Sequence, residues 1–382
     1  MPLLSLGGGT FGKAILMMIR FITILLCVAL SATAHAQQKK NFNVIAYYSH
    51  GPEMVDSLPA EKLTHIIFSF CHLKGNRLAV DNSRDSVTIE KLVDLKQRNN
   101  NLKVLLSLGG WGGCKTCSDV FSSKEAIREF SQSVLALNKH FKADGIDLDW
   151  EYPAISGYPG HPFKPEDKQN FTTLVRDLRE TLGPQYEISF AAGGFQTFLE
   201  ESVEWEVVMQ HVDRVNLMSY DLVHGFSTET GHHTALFSTS RQKESAHNAI
   251  QYLKRIGVPG EKIVIGAAFY ARIWENVSRE NNGLYQSGKF KSGVNFKDFD
   301  AVLSERKGYT HYWDETAQAP YAYNASKKLF ATFDNKRSIA RKTRYVMEEG
   351  LDGIMFWELP HDTFDGGLVD TIYTLKVGAM DK

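Results

Sequence analysis

In the segment DGIDLDWEYP, residues 144 to 153, the acids Asp147, Asp149 and Glu151 alternate with Leu148 and Trp150, and Asp144 stands just ahead. In an extended chain, residues two apart share a face. The three alternating acids therefore point one way, and Ile146, Leu148 and Trp150 point the other. Carboxylates crowded away from water repel one another and lose hydration, so protons are shared and some pKa values rise. A carboxyl that keeps its proton toward neutral pH suits general acid catalysis. Glu151, last in the row, is the candidate acid. A hydrated magnesium site is the competing chemistry for such a row. No phosphate-binding loop accompanies it, and no metal or cofactor is expected.

The row needs a scaffold. Eight β-rich apolar runs recur along the chain: NVIAYYS, HIIFSFC, KVLLSLGG, GIDLDWEY, EISFAAGG, RVNLMSYD, KIVIGAAFYAR and GIMFWEL. Segments with helical spacing lie between them, such as KEAIREFSQSVLALNKHF. Strand then helix, repeated eight times, predicts an α/β fold, a (β/α)8 TIM barrel. An open doubly wound sheet is the alternative, but no glycine-rich phosphate loop opens a helix. In a barrel, Ile146 and Leu148 pack outward against helices, and the acids climb the interior toward the C-terminal mouth. Residues 274–335, between the seventh and eighth strands, exceed an ordinary connection and are rich in Tyr, Phe and Trp. They read as a small α+β insertion domain on the face where active sites of this fold sit. The expected barrel is then 37–273 and 336–382.

The chain has 382 residues, 43% of them hydrophobic and 12% aromatic, enough for a large core. A formal net charge of -1 excludes the basic footprint of a nucleic-acid binder. Arg20, the apolar run FITILLCVALSATA and the small residues of AHA, Ala34 to Ala36, form a signal-peptide pattern over residues 1–36. Met17 or Met18 is a more natural start than Met1. Secretion to the periplasm or outside is expected, with no membrane partner after cleavage. Cys71 lies in an apolar run and reads as a buried free thiol. For Cys114 and Cys117, a local disulfide and a free dithiol both stay open.

DGIDLDWEYP matches the D-G-x-D-x-D-x-E motif of the family 18 glycoside hydrolases, the chitinases, and the chain resembles that family from about residue 42 to 376. SLGG ending at Gly110, MSYD from Met218 to Asp221, FYAR ending at Arg272 and MFWELPHD around Trp357 resemble its other strand motifs. GAAFYAR departs where many relatives carry a proline and a second glycine. The resemblance implies that Glu151 protonates the glycosidic oxygen and that the substrate's own 2-acetamido oxygen attacks the sugar carbon. It implies that Asp149 orients the acetamido N–H, that Asp147 holds a shared proton, and that Tyr220 donates to the acetamido oxygen. Asp221 and Arg272 would contact sugar hydroxyls, with Gly110 and Met218 as motif residues of the same site. Trp357 would floor a sugar subsite.

Trp111, Tyr152 and Trp357 each follow or end an expected barrel strand, so they are candidates to stack on sugar rings, as is Tyr47. His232 and His233 read as surface or cleft polar residues. The expected partners are chitin and chitooligosaccharides, and a monomer is expected. An endo-β-N-acetylglucosaminidase acting on N-glycan cores and a chitin-binding lectin on the same fold are the alternatives. Lectins of this fold typically lose the acid, and Glu151 is present.

Overall fold

The computed structural model describes residues 41–380. The expected signal peptide and its cleavage site lie outside them.

Eight parallel strands close into a barrel: β1 (Asn43–Tyr48), β2 (His65–Lys74), β3 (Lys103–Gly109), β4 (Gly145–Asp149), β5 (Glu187–Gly193), β6 (Arg214–Met218), β7 (Ile263–Ala268) and β8 (Gly353–Trp357). Each pairs with its neighbours in order, and β1 pairs with both β2 and β8, which closes the ring. These strands are almost wholly buried, as expected of parallel strands covered by helices. Two apolar layers result. Ile45, Ile67, Leu105, Val264 and Met355 fill the barrel interior. Ile146, Leu148, Trp150, Phe190 and Phe356 face outward into the layer shared with the helices.

The helices follow local sequence signals. Lys124–Phe141 buries Ile127, Phe130, Val134 and Phe141, the spacing of one helical face. Ser123 caps it by accepting the Ala126 N–H, and the helix ends at Lys142 in the left-handed region. Asn335 and Ser338 form a reciprocal capping box that starts Lys336–Glu349. Among the described residues, no helix is long and apolar enough to cross a membrane.

The seventh apolar run divides. Ile263–Ala268 stays in the barrel, but Tyr270–Glu275 leaves it and joins a second, antiparallel sheet. The order there is Lys289–Asn295, Tyr270–Glu275, Leu329–Thr332, Ala319–Asn324, Thr310–Asp314. Both faces of this sheet are apolar: Ile273, Tyr309, Ala322 and Phe333 lie on one, Trp274, Tyr321, Tyr323 and Phe330 on the other. Alternation within ARIW and YAYN explains the split, since consecutive residues must serve opposite faces. Arg272 therefore stands on the second sheet, opposite Thr332, and not on the barrel.

Two charged clusters lock this architecture. At the N-terminal end of the barrel, buried Arg214 bridges Glu187 at 2.6 Å and Asp352 at 2.9 Å. Near the C-terminal end, Lys342 and Asp334 form a fully buried pair at 2.6 Å. Asp334 also accepts the Ala268 N–H at 3.0 Å and the Thr234 hydroxyl at 2.9 Å. It thus ties the end of β7, the loop after β6 and the helix Lys336–Glu349 together.

Candidate active site

The acid row occupies the interior of β4 and its C-terminal extension. Asp147 is fully buried and Asp149 is 4% exposed, while Glu151 is half-buried at the mouth. Asp144 stands apart at the other end of β4, where it accepts the Val104 N–H at 2.6 Å and pairs with Lys96.

Asp147 is saturated with donors. Ser189 and Asn216 donate to Oδ1 at 2.6 and 3.0 Å, and Tyr47 and Ser107 donate to Oδ2 at 3.1 and 3.0 Å. The register explains the meeting, because Ser107 and Ser189 flank Asp147 on adjacent strands. Burial pushes the Asp147 carboxyl up, and these donors oppose it. Asp149 has no such support: its Oδ1 is buried without a hydrogen-bond partner among the described residues. Burial, then Glu151 and Asp147 beside it, push its pKa well above the usual carboxylate range. Burial raises Glu151 to about 7, against a hydrogen bond from Tyr152 and helped by the negative charge of Asp221.

The surrounding motif residues take distinct places. Gly109 and Gly110 have φ of 110° and 80°. A Cβ on Gly109 would lie 2.2 Å from the Asp149 carbonyl oxygen, and one on Gly110 would lie 2.3 Å from the Phe70 ring. Only glycine fits both the backbone and the space. The Gly110 N–H donates to that same Asp149 carbonyl at 2.9 Å, so the glycines seat β3 against the acid strand.

Tyr220 is 9% exposed, lies edge-on to Tyr270 at 6.2 Å, and contacts Met355 Sδ at 3.8 Å. Burial raises its pKa well above the usual phenol value, so it remains a donor. Met218 ends β6 and packs against the interior layer. Asp221 is clasped by both Arg272 Nε and Nη2. Burial alone would raise Asp221, but Arg272 and His233 outweigh it and hold the carboxyl well below its usual value.

The aromatics divide into two groups. Trp357 stacks on Phe70 at 5.7 Å and leans on Tyr47 at 5.9 Å, half-buried at the end of β8. Trp111 is 50% exposed on the loop after β3 and meets the edge of Tyr158 at 5.5 Å. Tyr152 instead packs edge-on against Phe195 and Phe198 at 5.5 and 5.3 Å, with its hydroxyl toward Glu151. Tyr47 is buried, and its ring fills the barrel while its hydroxyl serves Asp147.

His232 and His233 are fully buried, not surface or cleft residues. The fold buries them because the loop after β6 runs under the second sheet, where His232 meets Asp314 at 3.0 Å and His233 meets Asp221 at 3.4 Å. Cys114 and Cys117 are joined by a disulfide in the loop that carries Trp111, and Cys71 is a buried free thiol. Ser107, Ser189, Asn216 and Tyr270 were not singled out from sequence. The available signal for the first three was a polar residue at an inward position of an otherwise apolar strand. A cavity of about 400 Å³ lies elsewhere, lined by Phe296, Phe299, Lys336 and Arg337, and none of the acid row borders it.

Residues 41–362 match the family described as Glycosyl hydrolases family 18. Chitinase A1 of Niallia circulans is 35% identical over 313 residues, 72% of this chain and 42% of that protein. The oviduct-specific glycoprotein of Mus musculus is 29% identical over 320 residues, 79% of this chain and 43% of that protein. The chain thus spans less than half the length of these two relatives. A solved structure of a family 18 N-acetylglucosaminidase from Paenibacillus barengoltzii superposes with a TM-score of 0.80 at 35% identity, covering 88% of this chain and all of that one.

Proposed function

The chain belongs to glycosyl hydrolase family 18, and from that premise we propose that it is a secreted chitinase that cleaves β-1,4 bonds between N-acetylglucosamine units with retention of configuration. One observation carries the reading. Glu151, held protonated to about pH 7, stands beside a buried Asp149 whose Oδ1 lacks a partner among the described residues. That oxygen is an acceptor for the N–H of a sugar's 2-acetamido group. Asp149 then aims the acetamido oxygen at the sugar carbon while Glu151 protonates the leaving oxygen.

The alternative of an enzyme carboxylate as nucleophile fits poorly. Asp147 is engaged by four donors, and Asp221 is clasped by Arg272. The Tyr220 hydroxyl, neutral in its buried site, supplies a donor for the developing charge on the acetamido oxygen. Trp357 offers an aromatic floor and Trp111 a half-exposed face on the loop after β3. Export is supported by Arg20 and the apolar run that ends in AHA.

A chromogenic N,N′-diacetylchitobioside tests the reading, with chitohexaose products resolved by size and anomer. Hydrolysis with β-anomer products is expected. Binding without hydrolysis would support a lectin, and release of single N-acetylglucosamine units alone would support an N-acetylglucosaminidase, the activity named for the Paenibacillus protein. Cleavage confined to N-glycan cores would overturn the chitinase reading.

A further inference from the structure

Asp221 has a backbone that must be held. Its φ is 54°, in the left-handed region that a non-glycine residue enters at a cost. Arg272 clasps its carboxylate from the second sheet. The other support is the short segment His233–Thr234. The His233 carbonyl accepts the Leu222 N–H at 3.1 Å, its own N–H donates to Thr332 Oγ1 at 3.1 Å, and its Nδ1 lies 3.4 Å from Asp221 Oδ1. Thr332 stands opposite Arg272 in the sheet. Thr234 continues the support to Asp334 at 2.9 Å, and through it to Lys342. One residue therefore joins the loop that carries Tyr220 and Asp221 to the sheet that carries Arg272.

The surroundings of the imidazole fix its proton. The ring is fully buried, and Nε2 has no partner among the described residues. A proton on Nε2 would bury a donor without an acceptor and turn the Nδ1 lone pair on a carboxylate. A proton on Nδ1 gives Asp221 a donor and leaves only a bare acceptor behind. A second proton, making the ring a cation, would again leave a buried Nε2–H unpaired. The charged and titratable groups that face the ring are Asp221, Arg272, Asp334 and Tyr270, whose ring lies 5.2 Å away. Burial lowers the basicity of His233, in agreement.

We infer that His233 is a positioning residue: as a neutral imidazole protonated on Nδ1, it fixes Asp221 in the strained turn where that carboxylate clasps Arg272 and faces Glu151. The inference rests on the reading of Glu151 as the acid. The charge of Asp221 is one of the forces that keep the proton on Glu151. If Asp221 turns away, the acid loses its proton at lower pH.

His233→Leu keeps bulk and removes the donor, while His233→Asn keeps an amide N–H near the Nδ1 position. The leucine variant is expected to lose about tenfold in kcat with a KM change below about threefold, and its alkaline limb is expected to move to lower pH. The asparagine variant recovers most of the loss. In an Asp221→Asn background, His233→Leu adds no further loss, since there is no carboxylate left to position. Wild-type kcat and limb in His233→Leu, or an equal penalty in both backgrounds, overturns the inference. Spectra of ¹⁵N-labelled histidine, wild type against His233→Asn, read the tautomer whether or not the protein hydrolyses anything. An Nε2–H ring or an imidazolium at pH 7 also overturns it. A wild type without hydrolysis defeats the functional reading instead, and the tautomer still decides His233.

Discussion

The side-chain amide of Asn216 donates to Asp147 Oδ1 at 3.0 Å from a strand two places around the barrel, and to the Tyr47 hydroxyl at 3.2 Å. The carboxylate dictates which way the amide points, since the flipped orientation would set oxygen against oxygen. Asn216 Oδ1 is left buried without a partner among the described residues. That is a standing cost, tolerated because the nitrogen serves Asp147.

Asn216→Leu removes this donor from a carboxylate already raised by burial. The fold is expected to lose about 1–3 kcal/mol in urea denaturation, the usual penalty for stranding a buried acceptor. Turnover should fall as well, because the acid row repartitions its protons. Unchanged stability together with unchanged turnover would show that Ser107, Ser189 and Tyr47 suffice.

Glu151→Gln keeps the shape of the acid and removes its transferable proton. Turnover is expected to drop by about 10²–10⁴-fold or more, while the affinity for chitotetraose, read by calorimetry, stays within a few-fold. A variant that keeps a tenth of wild-type turnover would mean another group supplies the proton.

Trp111 presents half its surface to solvent and touches Tyr158 by an edge. Trp111→Ala should leave thermal stability nearly unchanged and weaken chitohexaose binding about tenfold, through lost aromatic area. Chitobiose binding should change less. Equal losses for the two ligands would show that Trp111 does not contact the outer sugars of a long chain.

Lys342 is fully buried, and its ammonium meets Asp334 at 2.6 Å and Thr234 at 2.5 Å. Lys342→Met strands the Asp334 charge, so a loss of about 3–5 kcal/mol is expected. The double variant Lys342→Met with Asp334→Leu should recover part of it. A single variant as stable as wild type would show that Asp334 is held by its other donors alone.

The barrel was legible because each strand carries an uninterrupted β-rich run, and the acid row because alternate carboxylates have few other uses. The division of KIVIGAAFYAR was not legible. Both halves are apolar, and only the three-dimensional path shows that Ala268 ends one sheet and Tyr270 begins another. The burial of His232 and His233 escaped for a related reason: the sheet that covers them comes from residues 270–332, distant in the chain. Ser189 and Asn216 were hidden by their modest chemistry. They become part of the site only when the register sets them against Asp147.

The protonation of Glu151 leads to a paired prediction for activity and stability. Its carboxyl is raised from 4.5 to about 7, first by burial and then by Asp221. The acid is competent below that value, so kcat/KM should fall as pH rises through about 7. The acidic limb belongs to the coupled row as a whole. Stability moves the same way. A carboxyl raised in the folded state stabilises the fold fully below its unfolded value, and that contribution is lost as pH rises through about 7. Asp362, buried and raised to about 6, adds to the same trend. Glu151→Gln cannot ionise, so its urea midpoint should depend less on pH between about 4.5 and 7, with the parts of the other raised carboxyls, Asp147, Asp149 and Asp362, remaining. Midpoints measured across that window decide the point. Identical pH dependence in the two proteins would show that Glu151 titrates at its ordinary value and that another group sets the alkaline limb.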